Sequence, residues 1–117
     1  MAVTLGSHGV LEANLIIPQS TTFACAIEHT DTEGTPIDHT GYTPYMRVID
    51  KQKTEHDIGE YVTFDNSDVL IELPSQITGI FALGAGKYDL MLEDPSGHVV
   101  RLLYGSVNIV DTYSLDE

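Results

Sequence analysis

The stretch from Gly86 to Gly105 does most to limit what this chain can fold into. Tyr88, Leu90 and Leu92 alternate with Asp89, Met91 and Glu93, which is the period-2 pattern of a half-buried strand. Asp94-Pro95-Ser96-Gly97 follows. Asp in the first position, Pro preset in the second and Gly in the last fit a type I turn. Val99 to Tyr104 then resumes an apolar run. Strand, tight turn and strand specify antiparallel β structure, and no reaction centre is visible in the stretch.

The same logic extends along the chain. Leu11, Ala13, Leu15 and Ile17 share one face of a strand over 10–17, closed by a turn at Pro18 to Thr21. Phe23, Cys25 and Ile27 point inward from a strand over 22–29, while Ala24, Ala26 and Glu28 point out. Asp31-Thr32-Glu33-Gly34 repeats the Asp-x-x-Gly turn chemistry, and the loop 35–41 after it has Ile37 as its apolar anchor. Met46 and Val48 face inward from a strand over 42–49, whose Pro44 marks a position near its start or on an edge. The segment 50–59 is polar and reads as an exposed loop or hairpin tip. Strands over 60–64 and 69–73 make a hairpin around 65–68, with Val69, Ile71 and Leu73 inward. Ile77, Ile80 and Phe81 stand at the spacing of one helical turn. With Ser75 as N-cap, they predict a short helical crossover that plugs one end.

In the final strand Val100, Leu102 and Tyr104 keep one parity, and Val107 and Ile109 keep the other. A β-bulge at Gly105 returns both sets to one face. About seven short strands with regular turns and one short helical crossover predict an all-β, immunoglobulin-like antiparallel β-sandwich. Tyr88, at the start of a strand just after the crossover, fits a tyrosine corner, with its ring buried and its hydroxyl on backbone. The domain spans 10–111. Residues 1–9 read as a flexible arm and 112–117 as a polar tail.

The chain has 117 residues, enough for one domain, which buries roughly two-thirds of its unfolded surface. Its single cysteine excludes an internal disulfide and a four-cysteine zinc site. No apolar run approaches the ~20 residues that span a bilayer, and no signal-peptide pattern precedes the strands. A net charge of −13, from 18 acids against 5 Lys plus Arg, repels phosphate backbones and anionic lipids. Nucleic acid and membrane surfaces are therefore not expected partners.

Candidate chemistry falls away residue by residue. Cys25 and His29 lie on one strand about 13 Å apart at ~3.4 Å per residue, too far for a nucleophile–base pair. Cys25 alternates with Phe23 and Ile27 and reads as core. His8, His29, His39, His56 and His98 have no metalloprotease spacing and read as surface or turn residues. The acids Asp31, Glu33 and Asp38 lack the ligand pattern of an EF-hand. Gly84-Ala85-Gly86-Lys87 precedes a strand and lacks the rest of a phosphate loop. The expectation is no enzyme, and no catalytic, cofactor-binding or metal-binding residue.

The segments Asp31 to Tyr42, Gly86 to Leu90 and Asp94 to Gly105 together resemble a family of phage and prophage immunoglobulin-like β-sandwich virion proteins. The family includes tail-collar, tail-fibre-attachment and baseplate-associated modules, and the resemblance runs from about Val10 to Val110. His39 stands where that family usually has an apolar residue. The resemblance implies a structural component of a tailed-phage virion, made in the host cytoplasm and assembled in the tail, collar or head–neck region. It implies a homo-oligomer that binds other virion proteins. The alternative is a carbohydrate- or calcium-binding adhesion module on the virion surface, built on Tyr42, Tyr45, Tyr61 and Tyr104 and the acidic loops.

Overall fold

The computed structural model describes residues 4–7, 11–30, 33–65 and 68–111, apart from the side chains of 4–7 and 11. Ten strands form: β1 (Thr4–Ser7), β2 (Leu11–Glu12), β3 (Leu15–Pro18), β4 (Phe23–His29), β5 (Thr43–Ile49), β6 (Glu55–Asp57), β7 (Val62–Asp65), β8 (Asp68–Leu73), β9 (Gly84–Glu93) and β10 (Val99–Val110). A one-turn helix, α1 (Ser75–Thr78), follows β8, and a 3-10 turn covers Gly59–Tyr61.

The strands build two sheets in the orders β1-β4-β8-β7 and β2-β10-β9-β5-β6, with β3 also on β10. This is the two-sheet arrangement expected of an immunoglobulin-like sandwich. Three strands exceed the sequence expectation. The strand expected over 10–17 breaks at Ala13 and Asn14 into β2 and β3. β6 arises inside the polar segment 50–59. The third, β1, comes from the expected arm: Thr4–Ser7 pairs with Ala26–His29. Backbone hydrogen bonding makes such a strand without any side-chain periodicity. The sheets are mixed rather than purely antiparallel, because β1 runs parallel to β4 and β2 and β3 run parallel to β10.

The core lies between the sheets and follows the predicted alternation. Phe23, Cys25 and Ile27 of β4 and Val69, Ile71 and Leu73 of β8 face Met46 and Val48 of β5 and Tyr88, Leu90 and Leu92 of β9. Pro44 sits in β5 outside the three residues, Arg47 to Ile49, that pair with β6. Its missing N–H therefore costs no ladder bond there.

Four local expectations are corrected. The bulge in β10 lies at Leu102, where the register shifts between Arg101 and Leu103. Leu102 and Leu103 both point inward, odd parity holds from there, and Tyr104 faces out. Gly105 is needed for a different reason, because a Cβ there would stand 2.2 Å from the Ala13 carbonyl oxygen. Its bare backbone lets the break between β2 and β3 close onto β10. In the crossover the N-cap is Pro74, not Ser75, and no side chain caps the helix. The helix ends at Thr78, so the i, i+3, i+4 stripe stops short. Phe81 is buried and Ile80 is 61% exposed. The loop anchor is His39 rather than the half-buried Ile37. Finally, Asp50, expected in an exposed loop, is buried.

The Asp94 turn forms as predicted. The Gly97 N–H donates to the Asp94 carbonyl (3.0 Å), and the Asp94 N–H donates to the His98 carbonyl (2.9 Å). Gly97 takes φ +90, the left-handed residue that completes a three-residue hairpin loop. In the other Asp-x-x-Gly turn, Asp31 and Thr32 lie outside the described residues, as do Asn66 and Ser67 of the β7–β8 hairpin.

Candidate interaction surface

The alternation that buries Tyr88, Leu90 and Leu92 presents Lys87, Asp89, Met91 and Glu93 on the outer face of the six-stranded sheet. Register aligns them into rows. Tyr45 of β5, Met91 of β9 and Arg101 of β10 form one row. Arg47, Asp89, Tyr104 and Glu12 form the next. Ile49, Lys87 and Ser106 form a third. The second row is tied across strands: Arg47 Nη2 donates to Asp89 Oδ2 at 3.2 Å, and its Nη1 lies 3.8 Å from Glu55. The hydrogen bond to Asp89 holds the guanidinium firmly charged. Arg101 lies over the Tyr104 ring, 4.8 Å from its centroid, a cation–π contact. Tyr45 donates its hydroxyl to Glu93 at 2.8 Å.

Two hollows open on this face. One of about 550 Å³ has Glu12, Arg47, Lys87, Asp89, Arg101 and Tyr104 in its lining. The other, of about 440 Å³, is lined by Ile49, Asp50, Lys51, Lys53, Ala85, Gly86 and Lys87. Together they gather Arg47, Lys51, Lys53, Lys87 and Arg101, which are all five Lys and Arg side chains of the chain. Register places Glu12, Glu55, Asp57, Asp89 and Glu93 on the same face, so its bases and acids are interspersed. No ion pair engages Lys51, Lys53, Lys87 or Arg101 among the described residues.

The interior holds polar chemistry of a different kind. His29, at the end of β4, and His39, in the loop before β5, are buried with ring nitrogens 2.9 Å apart, one donating to the other. The bridge between Thr30 and Pro36 folds the loop back beneath β4 and brings them together. His39 stacks between His29 and Phe64, with centroids 5.1 Å and 4.7 Å away, and Tyr42 meets it edge-on. Burial, and then the neighbouring imidazole, lower the His29 pKa, which favours the neutral ring. The His39 imidazole is accommodated in the core because its faces pack like an aromatic and its nitrogen finds a partner.

Asp50 is the second buried node. Its carboxylate accepts from the N–H groups of Gln52 (3.0 Å) and Thr54 (3.2 Å), from Ala82 N–H (3.1 Å) and from His56 Nε2 (2.9 Å). Burial opposes its ionisation, but these four donors outweigh it and bring the pKa down to about 2. The node fastens the β5–β6 turn to the chain beyond α1. The third is Tyr88, whose buried ring donates its hydroxyl to the Ala13 carbonyl at 2.7 Å. The buried ring and backbone bond match the tyrosine-corner expectation, but the acceptor lies 75 residues upstream rather than nearby.

Of the residues weighed for chemistry, Cys25 is buried in the core with its thiol pKa raised by desolvation, and no base reaches it. His29 and His39 are not surface residues, and His56 is half-buried against Asp50; His98 is exposed. His8 lies outside the described residues. Asp38 is engaged locally with Thr40, and among the described residues no three His, Cys, Asp or Glu side chains gather to hold a metal ion. Tyr42 and Tyr61 pack against the core, whereas Tyr45 and Tyr104 share the outer face with β9 between them. Sequence reasoning missed the grouping of the five Lys and Arg side chains because they are spread from 47 to 101. The one available signal for Asp50 was an aspartate directly after an alternating strand, the position of an Asx turn.

Among solved structures, the chain is similar to the N-terminal domain of phage TP901-1 ORF48. The TM-score is 0.57 and the identity 13%, and the match covers 95% of this chain and 99% of that one. At that identity the likeness shows the fold. No protein-family model matches the chain, and no curated protein sequence matches it. No helix among the described residues is long and apolar enough to cross a membrane.

Proposed function

We propose that this protein is a non-enzymatic structural module of a tailed-phage virion, docking neighbouring copies and other virion proteins in the tail, collar or head–neck region. The observation that carries the reading is the end-to-end likeness to a domain of a phage protein, 95% of one chain on 99% of the other. The geometry supports it. The buried polar groups are spent on each other and on backbone, and the outer face of the six-stranded sheet offers charged and aromatic side chains for contact.

The test is quantitative mass spectrometry of density-purified particles from a host carrying the gene. The expected result is this chain in fixed proportion to known structural proteins, retained through high-salt washing of intact particles. Its absence from particles, while the producing cells contain it, refutes the reading.

A further inference from the structure

The loop between β4 and β5 is seated by a titratable side chain. From Glu33 to Gly41 the one buried residue is His39, and the loop's apolar Ile37 is only half-buried. The loop is tied to β4 by the bridge of Thr30 with Pro36, by the Ile37 N–H on the His29 carbonyl at 3.1 Å, and by the His29 Nδ1–His39 Nε2 hydrogen bond at 2.9 Å. The stack of His39 on Phe64 ties it to β7 as well. Other bonds stay inside the segment. Asp38 Oδ1 accepts from the Thr40 N–H (3.0 Å) and hydroxyl (2.7 Å), and the Tyr42 N–H donates to the His39 carbonyl (3.0 Å). The loop is therefore stiff within itself, and its seat depends on the imidazole pair.

We propose that the His29–His39 pair is an acid-released latch: when both rings are protonated, the loop 33–41 swings off β4 and β7 and uncovers Phe64. The hydrogen bond needs one nitrogen with a proton and one with a lone pair. A first proton on the far nitrogen of the donor ring leaves that bond intact. A second has to go onto the accepting nitrogen, and then two N–H groups and two positive charges face each other across 2.9 Å. Desolvation and like-charge repulsion both oppose that state, whereas in water each ring takes its proton at about pH 6.5. Opening therefore takes up one or two protons. His29 already resists charging, because burial and then the His39 ring lower its pKa. The rings that face the pair, Phe64 stacked and Tyr42 edge-on, bring no negative charge to it. β1 brings Ser7 beside His29. On the loop, Glu33 is exposed, and the exposed Asp38 interacts with His39 but is held by Thr40. Asp38 can offset one cation and not two. Glu28 of β4 and Asp65 of β7 are exposed, and register sets both opposite Asp68 of β8 on the outer face of the sheet.

Amide hydrogen exchange of the full chain tests this, read by NMR from about pH 7.5 to about pH 5.5, either side of the ordinary imidazole value. Rates are corrected for the chemical exchange of each amide. The reporters are the Ile37 amide, bonded to His29 in the closed loop, and the amides of β9 inside the six-stranded sheet. The opening constant at Ile37 is expected to rise about 10- to 100-fold over that interval, as one or two imidazole protons are taken up. β9 is expected to stay at least about 100-fold better protected throughout, which makes the opening local. His29→Phe with His39→Phe, checked for folding by circular dichroism, is expected to hold the Ile37 opening constant within about twofold across the same range. In the wild type, the nitrogen shifts of the two rings are expected to titrate over the interval in which the loop opens, a readout that needs no variant. A rise below about threefold at Ile37 overturns the latch. So does an Ile37 amide that opens only as often as β9, or a folded double variant that keeps the wild-type rise. Imidazoles that titrate at a pH where the loop stays shut overturn it too.

Discussion

Replacing Gly105 with alanine puts the junction of the N-terminal strands under a defined load. The added Cβ falls 2.2 Å from the Ala13 oxygen and 2.9 Å from its carbonyl carbon. Carbon–oxygen contact needs about 3.3 Å, so the Ala13 carbonyl has to retreat by about 1 Å. That oxygen accepts the Tyr88 hydroxyl at 2.7 Å, and the Ala13 N–H donates to Tyr104 at 2.9 Å. A retreat of that size takes both beyond hydrogen-bonding distance. Leaving the buried Tyr88 hydroxyl unpartnered costs about 1–3 kcal/mol and losing the Ala13 N–H bond about 1 kcal/mol. Gly105→Ala should therefore destabilise by about 3 kcal/mol. Tyr88→Phe, which removes only the hydroxyl, should cost about 1–2 kcal/mol. Both act through one bond, so the double variant should cost little more than Gly105→Ala alone, with a coupling of about 1–2 kcal/mol. Urea unfolding followed by circular dichroism reads this as a fall in midpoint at unchanged slope. A Gly105→Ala protein within about 0.5 kcal/mol of wild type, or strict additivity in the cycle, would refute the reasoning.

Asp50→Ala strands the Ala82 N–H and the His56 ring in a buried site and should cost about 3–4 kcal/mol by the same unfolding assay; a loss under 1 kcal/mol would show that the node is ornamental. Asp50 titrates at about 2 folded against 3.8 ordinarily. Its contribution of roughly 2 kcal/mol is thus complete above pH 3.8 and lost as pH falls toward 2, and Asp50→Asn should flatten that part of an acid titration. His29 has a lowered pKa against 6.5, so below pH 6.5 the unfolded chain binds more protons and stability is lost as the pH is lowered. His29→Phe should shallow that decline, and an unchanged slope would count against the buried pair as its source. Cys25, buried with a raised pKa, should react with a disulfide reagent only as fast as the domain opens; labelling at the rate of a free thiol would contradict its place in the core.

Strands whose side chains alternate cleanly are legible from residues alone: Phe23-Cys25-Ile27, Met46-Val48, Val69-Ile71-Leu73 and Tyr88-Leu90-Leu92 all point where the pattern puts them. Features made by backbone or by pairing are not. The slip in β10 is invisible near Leu102 because Leu102 and Leu103 are both apolar, and only the β9 register shows which is extra. Gly105 looks like the irregular residue because it is a glycine, whereas its reason is the Ala13 carbonyl near the other end of the chain. Ile80 matches a helical stripe that the single turn of α1 is too short to continue. His29 and His39 read as polar surface because a histidine's partner in space leaves no trace in local sequence. The row of Arg47, Asp89 and Tyr104 is hidden for the same reason, since its members meet only once β5, β9 and β10 are adjacent.

The parallel pairing of β3 with β10 sets Leu15 beside Val107 and Ile17 beside Ile109. During synthesis the early strand therefore waits for nearly all of the rest of the chain. Until the ribosome has released Val110, β9 has β5 on one side but lacks β10 on the other, Leu15 and Ile17 have no strand to pair with, and nothing holds the Ala13 carbonyl beside Tyr88. Closing so long a loop is slow. Nascent chains truncated before β10 should present sticky, half-built sheets to chaperones, and commitment to the native sandwich belongs to the moment when its two ends meet.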